Sequence, residues 1–146
     1  MAERLTSMTT GAHVAVKRTA VNPWKWSGEL GYNQAEIVAG HTRTLYCSGQ
    51  TAMSDEGKPQ HAGDMAAQLA LSLDNLEAVL DEAGMSLADL VRLNVYTTDV
   101  DLLFQHYGVL ASRLCAAGVA PTTTMLGVTR LAIPVLMVEL EGTAVA

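Results

Sequence analysis

The sequence is poor in several residue types, and each shortage excludes a class of protein. Its 146 residues include only two cysteines, too few for a disulfide framework or a zinc cluster, so we expect reduced thiols. Its four histidines are not spaced as metal ligands are, and we expect neither a metal nor any other cofactor.

Basic residues are also scarce, because nine Lys and Arg face fifteen Asp and Glu. The formal net charge of −6 disfavours a nucleic-acid partner, since affinity for a phosphate backbone comes chiefly from Lys and Arg. No basic run compensates. A small-molecule ligand is the partner that this composition favours.

Long hydrophobic runs are absent as well. Apolar stretches such as Leu131 to Val138 fall well short of the roughly 18 residues that a membrane helix needs, so we expect no membrane association. Residues 1 to 11 lack the apolar core of a secretion signal. The expected location is the cytoplasm.

What remains is typical of one globular domain. Hydrophobic residues make up 49% of the chain and charged residues 16%, and this length supports a single core. We expect residues 1–12 to be a flexible lead and residues 13–146 to form the domain.

The predicted order of elements is βββαβαββ. Weak strand signals cover 13–18, 35–39 and 42–47, the last two being joined as a hairpin at Gly40-His41. Leucines at helical spacing follow a cap at Asp64 and stop at Gly84, and a second helix, capped by Asp99 or Asp101, ends before Gly118. Strands at 90–96, 122–129 and 135–144 complete an α+β fold with the helices on one sheet face. Of the two cysteines, Cys47 is expected to be a buried thiol and Cys115 a core residue at a helix end.

The last strand carries the main acid–base candidates. Side chains alternate along a strand, so Val138 and Leu140 share the helix-covered face while Glu139 and Glu141 share the other. Burial of that second face by another subunit would raise a carboxyl pKa towards the range of a general acid or base. On spacing alone, solvated or salt-bridged carboxylates are the favoured interpretation.

Two further groups of residues are suited to ligand binding. Ser48 and Gly49 end a strand, where glycine allows close approach of a ligand; an ordinary strand-end serine is the alternative. Trp24, Trp26 and Tyr32 are concentrated in a chain that is only 5% aromatic. They are suited to a pocket wall or interface, or else to a local cluster that pins a loop.

Four segments of the sequence match the motifs of one family: Gly31–Ala35, Leu45–Gln50, Pro121–Leu131 and Val138–Gly142. Together they resemble the Rid/YjgF (endoribonuclease L-PSP-like) family of reactive-intermediate deaminases. The family consists of small trimers whose best-known members hydrolyse imines and enamines. The resemblance implies a chorismate-mutase-like fold of the bacterial trimer type, with two helices on one face of a mixed sheet and ligand clefts between subunits.

The resemblance also implies roles for particular residues. After a one-residue insertion in the preceding loop, Glu139 matches the position that holds the attacking water, and Glu141 is structural. Tyr32 walls the cleft, and Ser48 and Gly49 contact ligand or water. Arg130 matches an Arg-Leu pair in which a salt bridge and a ligand contact are both open.

One departure bears on the substrate. Deaminating members carry an arginine at the position of Thr123 and commonly a cysteine at that of Met125, so this cleft is less cationic and more apolar. Lys25 or Arg43 is a possible substitute cation. Three functions remain open: an imine or enamine hydrolase with altered substrate, a small-metabolite-binding trimer without turnover, and the ribonuclease activity of some relatives, which the acidic charge disfavours.

Overall fold

The computed structural model describes residues 15–146, which contain six strands and four α-helices. Residues 1–14 lie outside the described part, and with them lie the expected flexible lead and the start of the first predicted strand. The strands are β1 (Lys17–Val21), β2 (Ala35–Ala39), β3 (Thr44–Tyr46), β4 (Leu90–Thr97), β5 (Thr122–Gly127) and β6 (Val138–Val145), and the helices are α1 (Trp26–Glu29), α2 (Met65–Glu82), α3 (Val100–Gln105) and α4 (Gly108–Ala116).

The strands form two sheets. The larger has the order β3-β6-β4-β5, in which only the β4–β5 pair is parallel. Strands β1 and β2 form a separate antiparallel ribbon. The mixed sheet with helices on one face confirms the predicted α+β class.

Helix α2 forms where its leucine spacing predicts it. The Asp64 carboxylate accepts a hydrogen bond of 3.0 Å from the Ala67 amide and caps the first turn. The helix ends at Glu82, before Gly84 at φ +71°. Its apolar stripe is fully buried against the sheet and consists of Leu69, Leu73, Leu76 and Leu80.

The predicted hairpin between the second and third strands is wrong. Strand β2 pairs with β1, whereas β3 pairs with the C-terminal strand β6. Gly40, at φ +81°, lies between β2 and β3, and the amides of Thr42 and Arg43 both donate to the carbonyl of Ala146. Pairing with the distant C-terminus therefore replaces the local turn.

The first strand lies later than its alternating valines predict, because an ion pair anchors it. The Arg18 guanidinium binds the Glu36 carboxylate of β2 at 2.5 and 2.9 Å. It also donates to the carbonyls of Ala88 and Leu90, at 2.6 and 2.7 Å. These contacts attach the ribbon to the start of β4.

Three further sequence expectations require correction. The second predicted helix is two helices separated at His106 and Tyr107, and Asp99, not Asp101, caps the first. Cys115 is exposed, because it lies on the outer side of α4. The two closing strands are also shorter at the ends that face each other, since residues 128–137 form the connecting loop.

A bulge early in β4 interrupts the regular alternation of its side chains. The register with β6 shifts between Leu90 and Arg92, so Leu90 turns into the core, although strict alternation places it with Arg92. Its side chain packs over Gly142, where an added Cβ would lie 2.9 Å from a Leu90 methyl carbon.

The alternation predicted for β6 is confirmed. Val138 and Leu140 are fully buried on the helix side, while Glu139 and Glu141 are half-buried on the opposite face. We call that second surface the carboxylate face. Within residues 15–146, no helix is long and apolar enough to cross a membrane.

Candidate functional site

Glu139 lies directly against the backbone of Gly49. A Cβ added to Gly49 would fall 1.8 Å from Oε1 of Glu139, which is far inside van der Waals contact. Two backbone hydrogen bonds between Gln50 and Leu140, of 2.7 and 2.9 Å, hold the two segments side by side. Only glycine leaves room for the carboxylate at this position.

The two carboxylates of β6 differ in their partners. Glu141 accepts hydrogen bonds from Asn94 Nδ2 at 2.9 Å and from the Tyr96 hydroxyl at 3.1 Å. The hydrogen bond to Glu141 in turn raises the pKa of Tyr96. Within residues 15–146, the Glu139 carboxylate has no hydrogen-bond or ion-pair partner. Glu141 is therefore held in a network, and Glu139 is available to a ligand or water.

The surroundings of Glu139 also alter its affinity for a proton. Burial raises the pKa of Glu139 above its usual 4.5, and the nearby charge of Glu141 adds to the effect. A carboxylate of raised pKa without a partner is chemically suited to accept a proton from water and return it to a leaving group.

The segment before Gly49 divides into a buried and an exposed residue. Cys47 is buried, as predicted, and burial raises the pKa of its thiol, which makes it a poor nucleophile. Ser48 is exposed, and its carbonyl accepts a 3.3 Å hydrogen bond from Gln50. Its hydroxyl is bonded to nothing else in the described part of the chain, so it is free to meet a ligand.

The remaining predicted site residues line a separate cavity of about 360 Å³. Tyr32, Thr123 and Met125 lie around it with three residues that the sequence analysis did not single out for the site, namely Leu30, Phe104 and Tyr107. We call it the aromatic pocket. The Thr123 hydroxyl donates to the carbonyl of Pro121 at 2.9 Å, and burial raises the pKa of the Tyr107 phenol.

The aromatic pocket and Glu139 lie on opposite sides of the sheet. In the β5–β4–β6 register, Met125 aligns with Val95 and Leu140, which are buried under the helices. Leu126 aligns with Tyr96 and Glu139 on the carboxylate face. The structure therefore brings Tyr32, Thr123 and Met125 together, and Gly49 with Glu139, but one chain does not join the two groups.

The aromatic residues near the pocket form a local cluster and also leave apolar surface exposed. The rings of Trp24 and Trp26 stack at 6.5 Å between centroids, and Trp26 meets Tyr32 edge-on at 6.2 Å. The three rings therefore form a local cluster. Both tryptophans are nevertheless more than half exposed, so the cluster presents apolar surface beside the pocket.

Sequence reasoning missed two sets of residues. Phe104 is 59% exposed and lies off the buried stripe of its helix, and an aromatic at such a position was the available signal for a pocket residue. Arg92 on the carboxylate face donates to the Thr124 hydroxyl at 2.6 Å. Its alternation with Asn94 and Tyr96 places it there, but its partner lies 32 residues away, on another strand.

The other basic residues considered as site residues have local contacts. Arg130 donates to the carbonyls of Leu131 and Ala132 and pairs with no carboxylate in residues 15–146, so a salt bridge to another subunit and a ligand contact both stay open. Arg43 donates to the carbonyl of Ala83, at the end of α2. Lys25 precedes α1 and is exposed. None of these three lines the aromatic pocket.

Comparisons with known proteins agree with this geometry. The chain is 29% identical to the RutC family protein YjgH of Escherichia coli over 117 residues, 80% of this chain and 88% of that protein. It is 36% identical to the mitochondrial protein mmf2 of Schizosaccharomyces pombe over 86 residues, 59% of this chain. That alignment spans 64% of mmf2, just under two thirds of its length. The cytoplasmic location stays a prediction, since a relative is named mitochondrial.

Solved structures show the same fold. The crystal structure of YyfB from Yersinia pestis, described as a Rid-family protein of unknown function, matches with a TM-score of 0.77 and 31% identity. The match covers 88% of this chain and 98% of YyfB. The predicted chorismate-mutase-like fold is thereby confirmed. Residues 27–146 match the family model described as Endoribonuclease L-PSP, and the chain belongs to this family, the Rid/YjgF family.

Proposed function

We propose that the protein hydrolyses small enamines or imines in a cleft formed between subunits of a homotrimer. The observation that carries the proposal is the arrangement of Glu139, which has a raised pKa, lies against Gly49 and has no partner in the described chain. Membership of the Rid/YjgF family supports a small-molecule hydrolase or binding function in general. The catalytic role of Glu139 is the specific part of the proposal.

Glu139 would act on a bound water. It accepts a proton as the water oxygen attacks the imine carbon, and the resulting carboxylic acid gives that proton to the nitrogen, which yields a neutral carbinolamine. The same carboxylate then takes the hydroxyl proton and passes it to the nitrogen as the C–N bond breaks, so ammonia or an amine leaves with a carbonyl product and Glu139 is again ionised. Ser48 and the backbone at Gly49 would orient the ligand beside this carboxylate.

Oligomerisation is what would complete the site. The aromatic pocket and Glu139 lie on opposite sides of one chain's sheet, so a cleft that uses both requires a second copy. The carboxylate face also leaves apolar side chains uncovered, including Tyr46 at 79% and Leu126 at 51% exposure. A closed threefold arrangement would cover this face and repeat the cleft at each interface.

Mixing of inactive subunits tests the shared cleft. Glu139→Gln removes the carboxylate from the subunit that supplies it, and Met125→Trp fills the aromatic pocket of the subunit that supplies the pocket. If each site takes its two halves from different chains, random mixed trimers should regain activity at about a quarter of their sites. No recovery in verified mixed trimers would contradict the shared cleft, as would a 15.5 kDa monomer in light scattering.

A matched pair of variants tests the role of Glu139. Glu139→Gln preserves size while removing the charge, and the loss of a general base should reduce turnover about 10²–10⁴-fold. Glu141→Gln alters the neighbouring carboxylate and should have a smaller effect. Turnover would be measured on a panel of imines and enamines. Loss of activity only in Glu141→Gln would reverse the assignment of the two residues.

The second candidate function is a metabolite-binding trimer without turnover. The observation that favours it is Thr123, whose hydroxyl is already bonded to Pro121 at the position where deaminating relatives carry arginine. Ligand binding with no turnover on the whole panel, in wild type and both glutamate variants, would support this function. The family description also names an endoribonuclease, but a net charge of −6 makes RNA the least favoured substrate.

A further inference from the structure

The aromatic pocket has a lining without any charged group. Its six residues are one leucine, one methionine, one threonine and three aromatic residues. Its volume of about 360 Å³ lies within the range of roughly 300–1,000 Å³ that is typical of small-molecule sites. Three parts of the chain converge on it: the loop after α1, the junction of α3 and α4, and strand β5.

The polar atoms of this lining cannot replace a cation. The Thr123 hydroxyl has one proton, which it donates to the carbonyl of Pro121 at 2.9 Å, so it meets a ligand only as an acceptor. A carboxylate placed there would oppose an oxygen lone pair. Burial raises the pKa of the Tyr107 phenol, so this hydroxyl remains neutral at physiological pH.

The aromatic rings are arranged to enclose an apolar group. The rings of Phe104 and Tyr107 are tilted by 50° with centroids 6.1 Å apart, and Tyr32 is buttressed edge-on by Trp26. Such rings interact favourably with alkyl and aryl groups that pack against their faces or edges. A buried carboxylate would instead lose its hydration without gaining a cationic partner.

We propose that the aromatic pocket receives an uncharged aryl or branched alkyl group of the substrate, at the place where deaminating relatives bind a carboxylate. This inference rests on the cleft assigned above and specifies its substrate class. The substrate would be an imine or enamine whose carbon bears a neutral apolar substituent, and its carbonyl product would be the corresponding ketone or aldehyde.

Three methyl ketones test the proposal without requiring turnover. They share the CH₃–CO– group and differ only in the third substituent: isopropyl in 3-methylbutan-2-one, phenyl in acetophenone and carboxylate in pyruvate. Isopropyl and carboxylate are close in shape, so this pair isolates charge. Ligand-detected NMR titration of the intact protein should show both neutral ketones binding at least tenfold more tightly than pyruvate. Equal or tighter binding of pyruvate would overturn the proposal.

Two alanine variants locate the binding. Phe104 is 59% exposed, so Phe104→Ala removes a pocket wall without opening the core and should weaken acetophenone binding about tenfold. Ile37→Ala truncates a side chain of similar exposure, 62%, outside the pocket and should leave binding unchanged. Unchanged binding in Phe104→Ala would overturn the proposal. Dissociation of the assembly by the ketones in light scattering would also overturn it, because the pocket would then be filled by a neighbouring subunit and not by substrate.

The outcomes separate this inference from the proposed hydrolase. If the neutral ketones bind more tightly than pyruvate but no turnover depends on Glu139, the pocket assignment is supported and the proposed hydrolase is contradicted. If turnover depends on Glu139 but pyruvate binds more tightly than the neutral ketones, the hydrolase is supported and the apolar substituent is contradicted.

Discussion

The two faces of the four-stranded sheet are built from the same strands but serve different purposes. On the helix side, fully buried leucines of α2 pack on Val95, Val138 and Leu140. On the carboxylate face, polar side chains bond across strands, and Tyr46 and Leu126 remain exposed. Burial by the chain's own helices therefore stabilises one face, while the side chains of the other face stay accessible to a ligand or to another subunit.

The largest expected effect comes from breaking the contact that defines the carboxylate face. In Gly49→Ala the new Cβ would lie 1.8 Å from Glu139 Oε1, so the carboxylate must move. Because general-base catalysis depends on placement, turnover should fall about 10²-fold or more. Imine hydrolysis rates measure this effect, and circular dichroism verifies the fold.

Gly28→Ala provides the control for Gly49→Ala. A Cβ at Gly28 would meet nothing within 4 Å, so the same chemical change should leave turnover near the wild-type level. If both variants retain full activity, the position of the Glu139 carboxylate is irrelevant to the reaction.

A smaller effect on activity is expected from a positive charge introduced at Thr123 in the aromatic pocket, on the other side of the sheet. We expect wild-type activity on 2-iminopropanoate to be weak, because Thr123 offers no cation. Thr123→Arg should raise this activity about tenfold, equivalent to about 1.4 kcal/mol from a bidentate pair with the carboxylate. The ratio of kcat/KM for 2-iminopropanoate and a neutral imine measures the change.

Thr123→Gln is the matched control, since it adds length without charge and should not raise the ratio. Wild-type activity on 2-iminopropanoate equal to that of arginine-bearing relatives would mean that another cation reaches the substrate. Arg92 would then be the first residue to test, because it already lies on the carboxylate face.

The smallest expected effect concerns stability and pH. Burial raises the pKa of Glu139 above 4.5, so the folded chain holds this proton more tightly than the unfolded chain. The free energy of unfolding should therefore decrease as pH rises from 4.5 through the raised pKa. The Glu139→Gln variant has no carboxyl group to titrate at this position. It should therefore be more stable than the wild type at pH values above the raised pKa, and the difference should shrink at lower pH. Urea unfolding at fixed protein concentration measures both; a pH-independent difference would contradict the prediction.

The sequence contained enough information for the local parts of the structure. The cap at Asp64, the leucine stripe of α2 and the alternation of Glu139 with Leu140 follow from periods of 3.6 and 2 residues, which are local properties. The β2–β3 hairpin failed because the Ala146 carbonyl and strand β6 pair with the segment from Thr42 onwards. That competition depends on residues about 100 positions away and leaves no local signal.

The site shows the same division. The family resemblance predicted Tyr32, Gly49, Thr123, Met125 and Glu139 as site residues, and the structure places them on two surfaces. That division follows from sheet order and register, which no single segment encodes. Phe104 and Tyr107 were missed as pocket residues for a related reason, because the break between α3 and α4 that presents them interrupts an otherwise continuous helical pattern.

The side chain of Gln68 holds the end of the loop that precedes the site. Its amide nitrogen donates to the carbonyls of His61 and Val135, and its amide oxygen accepts from the Met137 amide. The carbonyl of Met137 is in turn bonded by the Thr97 hydroxyl. The chain is thus fixed two residues before Glu139.

Because the chain is fixed at this point, the length of the preceding loop does not decide which face of the sheet each β6 side chain occupies. A residue inserted between 128 and 134 is absorbed before the chain reaches Gln68, and Glu139 still emerges on the same side as Gly49. Without such a fixed point, one added residue would exchange Glu139 with Leu140 and place a carboxylate in the core. We therefore expect the one-residue insertion that the family resemblance implies to be absorbed in loop 128–134, where length can vary without moving Glu139 away from Gly49.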